Sequence, residues 1–217
     1  MSLTSNLFFL FTVLGLCIYY MVPKRLQWGV LLILSYSYYM LVSVPAVGFL
    51  LFSTVVTYGF GLWINKVRLS DAEEASKAGK MKKIVTLGIL LDLGMLAYLK
   101  YTNFLITNIN IVTGSHIAML RLILPLGISY YTFQSLGYLL DVYWNRERVE
   151  TNFLKYALFV SFFPQLIQGP IGRFGKLAPQ LTAERHLELR NIKYGLQRII
   201  WGLFKKMVIA EWAAVYR

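Results

Sequence analysis

The residues best placed to do chemistry lie in the run LPLGISYYTFQSLGYLLDVYW at 124–144. Tyr130, Gln134, Tyr138 and Asp141 recur at i, i+4, i+8 and i+11, so a helix would carry two phenols, an amide and a carboxylate on one face. Such a stripe is too costly against hydrocarbon and must face the protein interior. It serves either as a hydrogen-bonded contact between helices or as one wall of a polar substrate tunnel.

A second group follows in FLKYALFVSFFPQLIQGPIGRF at 153–174, where Pro164, Gln165, Gly169, Pro170 and Arg173 sit among apolar neighbours. The two prolines lack backbone donors and break a helix, and carbonyls freed at membrane depth need protein or water beside them. The segment reads as a kinked or re-entrant element lining a cavity. Gln165 lies directly after the first break, and Arg173 is a fixed cation able to orient a phosphate or a developing negative charge.

Other catalytic chemistry has little to stand on. His116 in TGSHIAM and His186 in AERHLELR both have polar surroundings, where an exposed or capping imidazole is the ordinary reading and a water-poor general base is not expected. There is no HExxH, GxGxxG or phosphate-cradling loop, so neither a metal site nor a bound cofactor is expected. Cys17, the single cysteine, excludes an internal disulfide.

The elements that must position these residues are membrane helices. Apolar residues make up 57% of the 217 and charged residues 15%, and mean hydropathy is +0.56, which excludes a soluble globule. The net charge of +12 comes from basic residues that punctuate apolar runs, a pattern of membrane orientation and not of nucleic-acid binding. The expected fold is all-α: a polytopic bundle in the plasma membrane, with 1–217 as the amino-terminal portion of a single membrane domain. Spans are expected at about 3–22, 27–42, 47–64, 84–99 and 122–140, followed by the kinked or re-entrant segment 153–174 and an amphipathic or tilted helix at 192–216.

Within this layout Asp92 falls near the middle of a span, at about 2.5–3.5 kcal/mol on insertion scales, and needs a partner or a wet cavity. Lys100, at the end of the same span, is placed to snorkel to the headgroups. Asn103, Thr107, Asn108, Asn110 and Thr113 make residues 101–121 too polar for a crossing, so an interfacial helix and loop are expected there. Pro125 and Gly127 suggest a bent entry to the next span. Residues 66–83 carry six basic and three acidic side chains, which places them in the cytoplasm and the amino terminus outside. That run reads as a solvated connector, with a specific anionic-lipid site as the alternative.

Three blocks then carry a resemblance: LPLGISYYTFQSLGYLLDVY at 124–143, FVSFFPQLIQGPIGR at 159–173 and GLQRIIWGLFKKMVIAEWAA at 195–214. With a weaker block, LAYLKYTNFLITNIN at 96–110, they resemble the membrane-bound O-acyltransferase family, closest to its alginate O-acetyltransferase branch. The resemblance implies a funnel-shaped bundle in which tunnels from both sides meet at a buried histidine. An acyl group passes there from a donor such as acetyl-CoA or another acyl carrier to a hydroxyl, and an extracytoplasmic SGNH-type acetyltransferase is a possible partner.

Family members are typically about twice this length, and their histidine lies downstream of the GLFKK block. It is therefore expected beyond Arg217, and His186, upstream in polar surroundings, does not match it. On this reading the chain is an amino-terminal portion that needs its carboxy-terminal half and is inactive alone. D-alanyl transfer towards teichoic acid is the sibling reading. A non-catalytic scaffold or permease is the rival from another class, although the chain lacks the paired broken segments of a transporter built from repeats.

The two basic clusters, 24–25 and 66–83, predict one topology. A cysteine placed at Ser76 in a Cys17-free background should resist a membrane-impermeant thiol reagent in intact cells and react after permeabilisation. Labelling in intact cells would reverse the orientation.

Overall fold

In the computed structural model, which describes residues 6–71, 73–210 and 212, the chain is helical with no strand among those residues. It divides into two units, residues 1–183 and 184–217. The first holds α1 (Asn6–Met21), α2 (Gln27–Val42), α3 (Val44–Arg68), α4 (Glu74–Thr113), α5 (Ile128–Tyr143), α6 (Phe153–Ser161), α7 (Phe163–Gln168) and α8 (Phe174–Thr182). The second holds α9 (Leu189–Phe204) and a π-helical turn at Lys205–Ala210. Helices α3 and α4 are each long and apolar enough to cross a bilayer. Large apolar side chains also cover the outside, with Ile33 68% and Leu90 63% exposed, as in a membrane helix bundle and not in a water-facing surface.

The core forms where α3, α4 and α5 meet, and small residues let them approach. A Cβ at Gly88 of α4 would lie 2.8 Å from Leu139 of α5, and one at Gly61 of α3 would lie 3.3 Å from the Tyr138 ring. Leu50, Ile64, Leu139 and Val142 are buried there without exposed surface.

Helix α2 occupies the expected range, and several other boundaries differ. Helix α4 runs unbroken for 40 residues, about 60 Å, through the expected cytoplasmic connector on one side and the expected interfacial loop on the other. The polar density after Lys100 does not stop it, because these side chains bond inside their own helix. Thr102 Oγ1 donates to the Tyr98 carbonyl at 2.6 Å, Thr107 Oγ1 to that of Asn103 at 2.9 Å, and Asn108 Nδ2 to that of Phe104 at 2.7 Å. Lys100 reaches Ser129 Oγ at 3.3 Å instead of only snorkelling.

Gly114, at φ 68°, ends α4, and the chain returns along it in extended form. Asn110 donates to the Ile117 carbonyl at 2.9 Å and accepts from its N–H at 3.0 Å. Asn103 makes the same two bonds with Leu120, at 2.9 and 3.0 Å. The spacings match: seven helical residues advance about 10.5 Å and three extended residues about 10 Å. Two asparagine amides thus stand in for a neighbouring strand.

The span expected at 122–140 is a helix only from Ile128. Gly127 at φ 71° starts it, and the Tyr39 hydroxyl donates to the Leu126 carbonyl at 2.8 Å. The element expected at 153–174 is broken into α6, α7 and an extended stretch before α8. Its loose ends have partners, some local and some from other helices. Asn152 Oδ1 caps α6 at the N–H groups of Leu154 and Lys155, at 3.0 and 3.2 Å. Tyr58 Oη donates to the Thr151 carbonyl at 2.6 Å, and Ser35 Oγ accepts from the Phe163 N–H at 3.3 Å. Arg68 caps the end of α5 through the carbonyls of Val142 and Tyr143, at 2.6 and 3.0 Å.

In the second unit, Leu189, Ile192, Leu196, Ile199 and Ile200 gather on one side of α9, while Asn191 and Arg198 lie opposite. That amphipathic pattern suits a membrane surface better than a crossing. The helix begins three residues before the expected start at 192. Of the expected end at 216, residues 213–217 lie outside the described residues.

Gly127 carries two constraints, a positive φ and contact with the Leu166 carbonyl oxygen, which an added Cβ would strike. Gly137, with no atom within 4 Å, carries neither. Gly127→Ala should therefore cost roughly 3 kcal/mol or more and Gly137→Ala should be neutral or stabilising. Thermal unfolding in detergent checks this through a large loss of midpoint for the first variant alone.

Candidate functional site

The polar residues of the helix core converge on Asp92. It has no exposed surface, and neither carboxylate oxygen has a hydrogen-bond partner among the described residues. Ser53 of α3 stands beside it without closing a bond, and Tyr131 of α5 and Tyr156 of α6 lie within its field. Thr57 Oγ1 and the Tyr156 hydroxyl are 2.7 Å apart. The hydroxyls of Ser53, Tyr131, Thr132, Ser135 and Ser161 are buried and unpartnered. Four helices, α3 to α6, thus supply an enclosed cluster of hydroxyls around one carboxylate.

Helix α5 presents to this cluster a face turned by roughly one residue from the expected stripe. Tyr131, Thr132, Ser135 and Tyr138 are buried, whereas Tyr130 is 38% exposed and Asp141 only half-buried near the helix end. Two members of the expected stripe do reach the interior. Gln134 donates through Nε2 to the Phe159 carbonyl at 2.7 Å, which holds the end of α6. Tyr138 packs its ring against Tyr156 and Phe174, at 4.6 and 4.8 Å between centroids, and its hydroxyl accepts from the Glu150 N–H at 3.0 Å. Both position the broken element.

The second expected group separates. Gln165 and Arg173 come together in an open pocket of about 370 Å³, with Gly172, Lys176, Leu177 and Gln180. The Gln165 amide folds over Gly172, where a Cβ would lie 3.1 Å from Nε2, and its Oε1 is buried without a partner. Arg173 and Lys176 form no ion pair among the described residues, so two cations and an amide border one hollow. Pro164 turns elsewhere, into an apolar slot of about 130 Å³ with Gly15, Tyr19 and Leu34. Gly169 closes α7 by donating its N–H to the Gln165 carbonyl at 2.9 Å, and Pro170 is exposed.

Known proteins agree with this chain along nearly all of it. It is 35% identical to the probable alginate O-acetylase AlgI of Azotobacter vinelandii over 218 residues, 97% of this chain and 42% of that protein. The corresponding protein of Pseudomonas aeruginosa is also 35% identical, over 97% of this chain and 40% of its own length. The peptidoglycan O-acetyltransferase of Helicobacter pylori is 42% identical over 151 residues, 58% of this chain and 29% of that protein. Along nearly all of its length the chain is thus similar to alginate O-acetylases, in line with its resemblance to the membrane-bound O-acyltransferase family.

It spans about two-fifths of the length of these O-acetylase relatives. No protein-family model matches it, and no solved structure does. Both histidines of this chain are exposed. What the expected stripe omitted is Lys176 and Gln180, and the core hydroxyls of Ser53, Thr57, Tyr131 and Ser135. The hydroxyls had a signal at i, i+4 in Ser53/Thr57 on α3 and in Tyr131/Ser135 on α5, the latter pair one residue away from the stripe of longer side chains.

If the pocket serves acyl transfer, Gln165→Ala and Arg173→Ala in a full-length homologue should each cut the rate at least roughly tenfold, about 1.4 kcal/mol, with membrane abundance near wild type. Lys176→Ala should act in the same direction. Abundance falling in step with activity would assign these residues to folding instead.

Proposed function

We propose that this chain forms part of a membrane enzyme that transfers acetyl groups to hydroxyls of a cell-envelope polysaccharide. The observation that carries this is its 35% identity to an alginate O-acetylase along 97% of its length. The chemistry needs a donor that supplies an activated acetyl, as acetyl-CoA or another acyl carrier would. It also needs a base for the acceptor proton and groups that meet the negative charge developing on the carbonyl oxygen. Arg173 and Lys176, with the Gln165 amide, fit the last role, or hold an anionic portion of the donor. The base is not one of the two exposed histidines, so residues 1–217 alone are proposed to lack activity.

Asp92 and the core hydroxyls keep the walls of this site in register, since each would cost more turned towards lipid. The same reading places residues 66–83 in the cytoplasm and the amino terminus outside in the plasma membrane, with an SGNH-type acetyltransferase as an extracytoplasmic partner.

Deleting the gene from its host and assaying envelope polysaccharides for ester-linked acetate tests the proposal. Acetate esters should fall to background and return with the full-length gene, while D-alanine esters stay unchanged. Loss of D-alanine esters with acetate intact would replace this reading with the sibling one.

A further inference from the structure

We propose that the cleft between the end of α3 and the start of α4 binds an anionic phospholipid, beyond any role of this chain in acyl transfer. The two helices form an antiparallel hairpin joined at residues 69–73. Trp63, Lys66, Val67 and Ser70 follow one another at i, i+3, i+4 and i+7 along one side. Lys80, Lys83, Ile84 and Leu87 do so along the other. These faces enclose two hollows of about 290 and 510 Å³ that share Trp63, Val67 and Lys80.

The order along the hairpin matches a lipid from tail to headgroup. Trp63 and Leu87 lie deepest, each about one turn further from the hairpin end than the nearest lysine. Lys66, Lys83 and Lys80 follow towards the end, and Ser70 comes last. Tryptophan and lysine with these relative depths suit the boundary between hydrocarbon and headgroups. None of the three lysines is ion-paired among the described residues; the ion pair that forms nearby joins Lys77 and Glu74 at 3.0 Å. Three free ammonium groups above an apolar floor complement a phosphate on an acyl chain. The slot beside Pro164, by contrast, has an apolar lining with no charged residue and offers a headgroup nothing.

Three positive charges close to one phosphate imply discrimination by headgroup charge. The test embeds the full-length protein in nanodiscs of phosphatidylcholine doped with brominated phosphatidylglycerol or, at the same fraction, brominated phosphatidylcholine. Quenching at Trp63 is isolated as the difference between wild type and Trp63→Phe. Brominated phosphatidylglycerol should quench at least about fivefold more strongly than brominated phosphatidylcholine. The triple variant Lys66→Gln, Lys80→Gln, Lys83→Gln should bring that ratio near one, and the corresponding triple arginine variant should keep it. Should the glutamine triple fail to elute as wild type, Lys80→Gln alone should lower the ratio by about half.

Equal quenching by both lipids overturns the proposal. So does a preference that survives the glutamine substitutions or disappears with arginine. Absence of quenching at Trp63 by either lipid also overturns it, because protein then fills the cleft, whether a second copy or another part of the same chain.

Discussion

A backbone group released inside an apolar body has no water to meet it, and this protein breaks its helices there repeatedly. Three of the groups at these breaks have specific partners from another helix. The Leu126 carbonyl takes the Tyr39 hydroxyl, the Phe159 carbonyl takes the Gln134 amide, and the Phe163 N–H finds Ser35. Those side chains come from α2 and α5, so the broken element cannot settle until both helices are in place. The close approach of Gly127 to the Leu166 carbonyl oxygen joins the two irregular regions directly. Chemistry at Gln165 and Arg173 depends on this arrangement, because neither residue lies on a long helix that would hold it unaided.

The enclosed carboxylate acts on a different degree of freedom. A long helix in lipid can rotate about its axis at little cost if its faces are alike, and α4 is apolar on most sides. Asp92 removes that freedom, since only one rotation turns the carboxyl towards Ser53 and Tyr131 and away from hydrocarbon. The glycines at 61 and 88 then set how near the neighbours come. Register thus comes from one polar group and distance from two small ones. Buried hydroxyls without partners make this core costly to assemble and specific once assembled.

At α4 and α5 the structure departs from what the residue pattern suggests. Polar residues after Lys100 suggested an end to the helix because their number is incompatible with contact to lipid. Threonine and asparagine side chains return to carbonyls of the preceding turn, however, and two asparagines serve the returning non-helical segment instead of water. On α5 the long polar side chains drew attention to Tyr130 and Asp141, while the face that packs inward is led by Tyr131 and Ser135. Composition does not register which of two adjacent faces has a neighbour.

The sequence by itself determined the class of the protein, because hydropathy and the distribution of charge are sums over residues that need no geometry. It also marked the irregular stretch around Pro164 and Pro170, since proline lacks a donor, although Pro179 is held inside α8, and it placed an acid where only the interior can hold one. The tertiary structure alone decided which polar residues share a space. Gln165 and Arg173 meet Lys176 and Gln180 in one hollow, Pro164 turns away into another, and Gln134 is taken by a carbonyl. Those outcomes depend on the rotation and spacing of neighbouring helices, which are fixed by contacts between residues far apart in the chain.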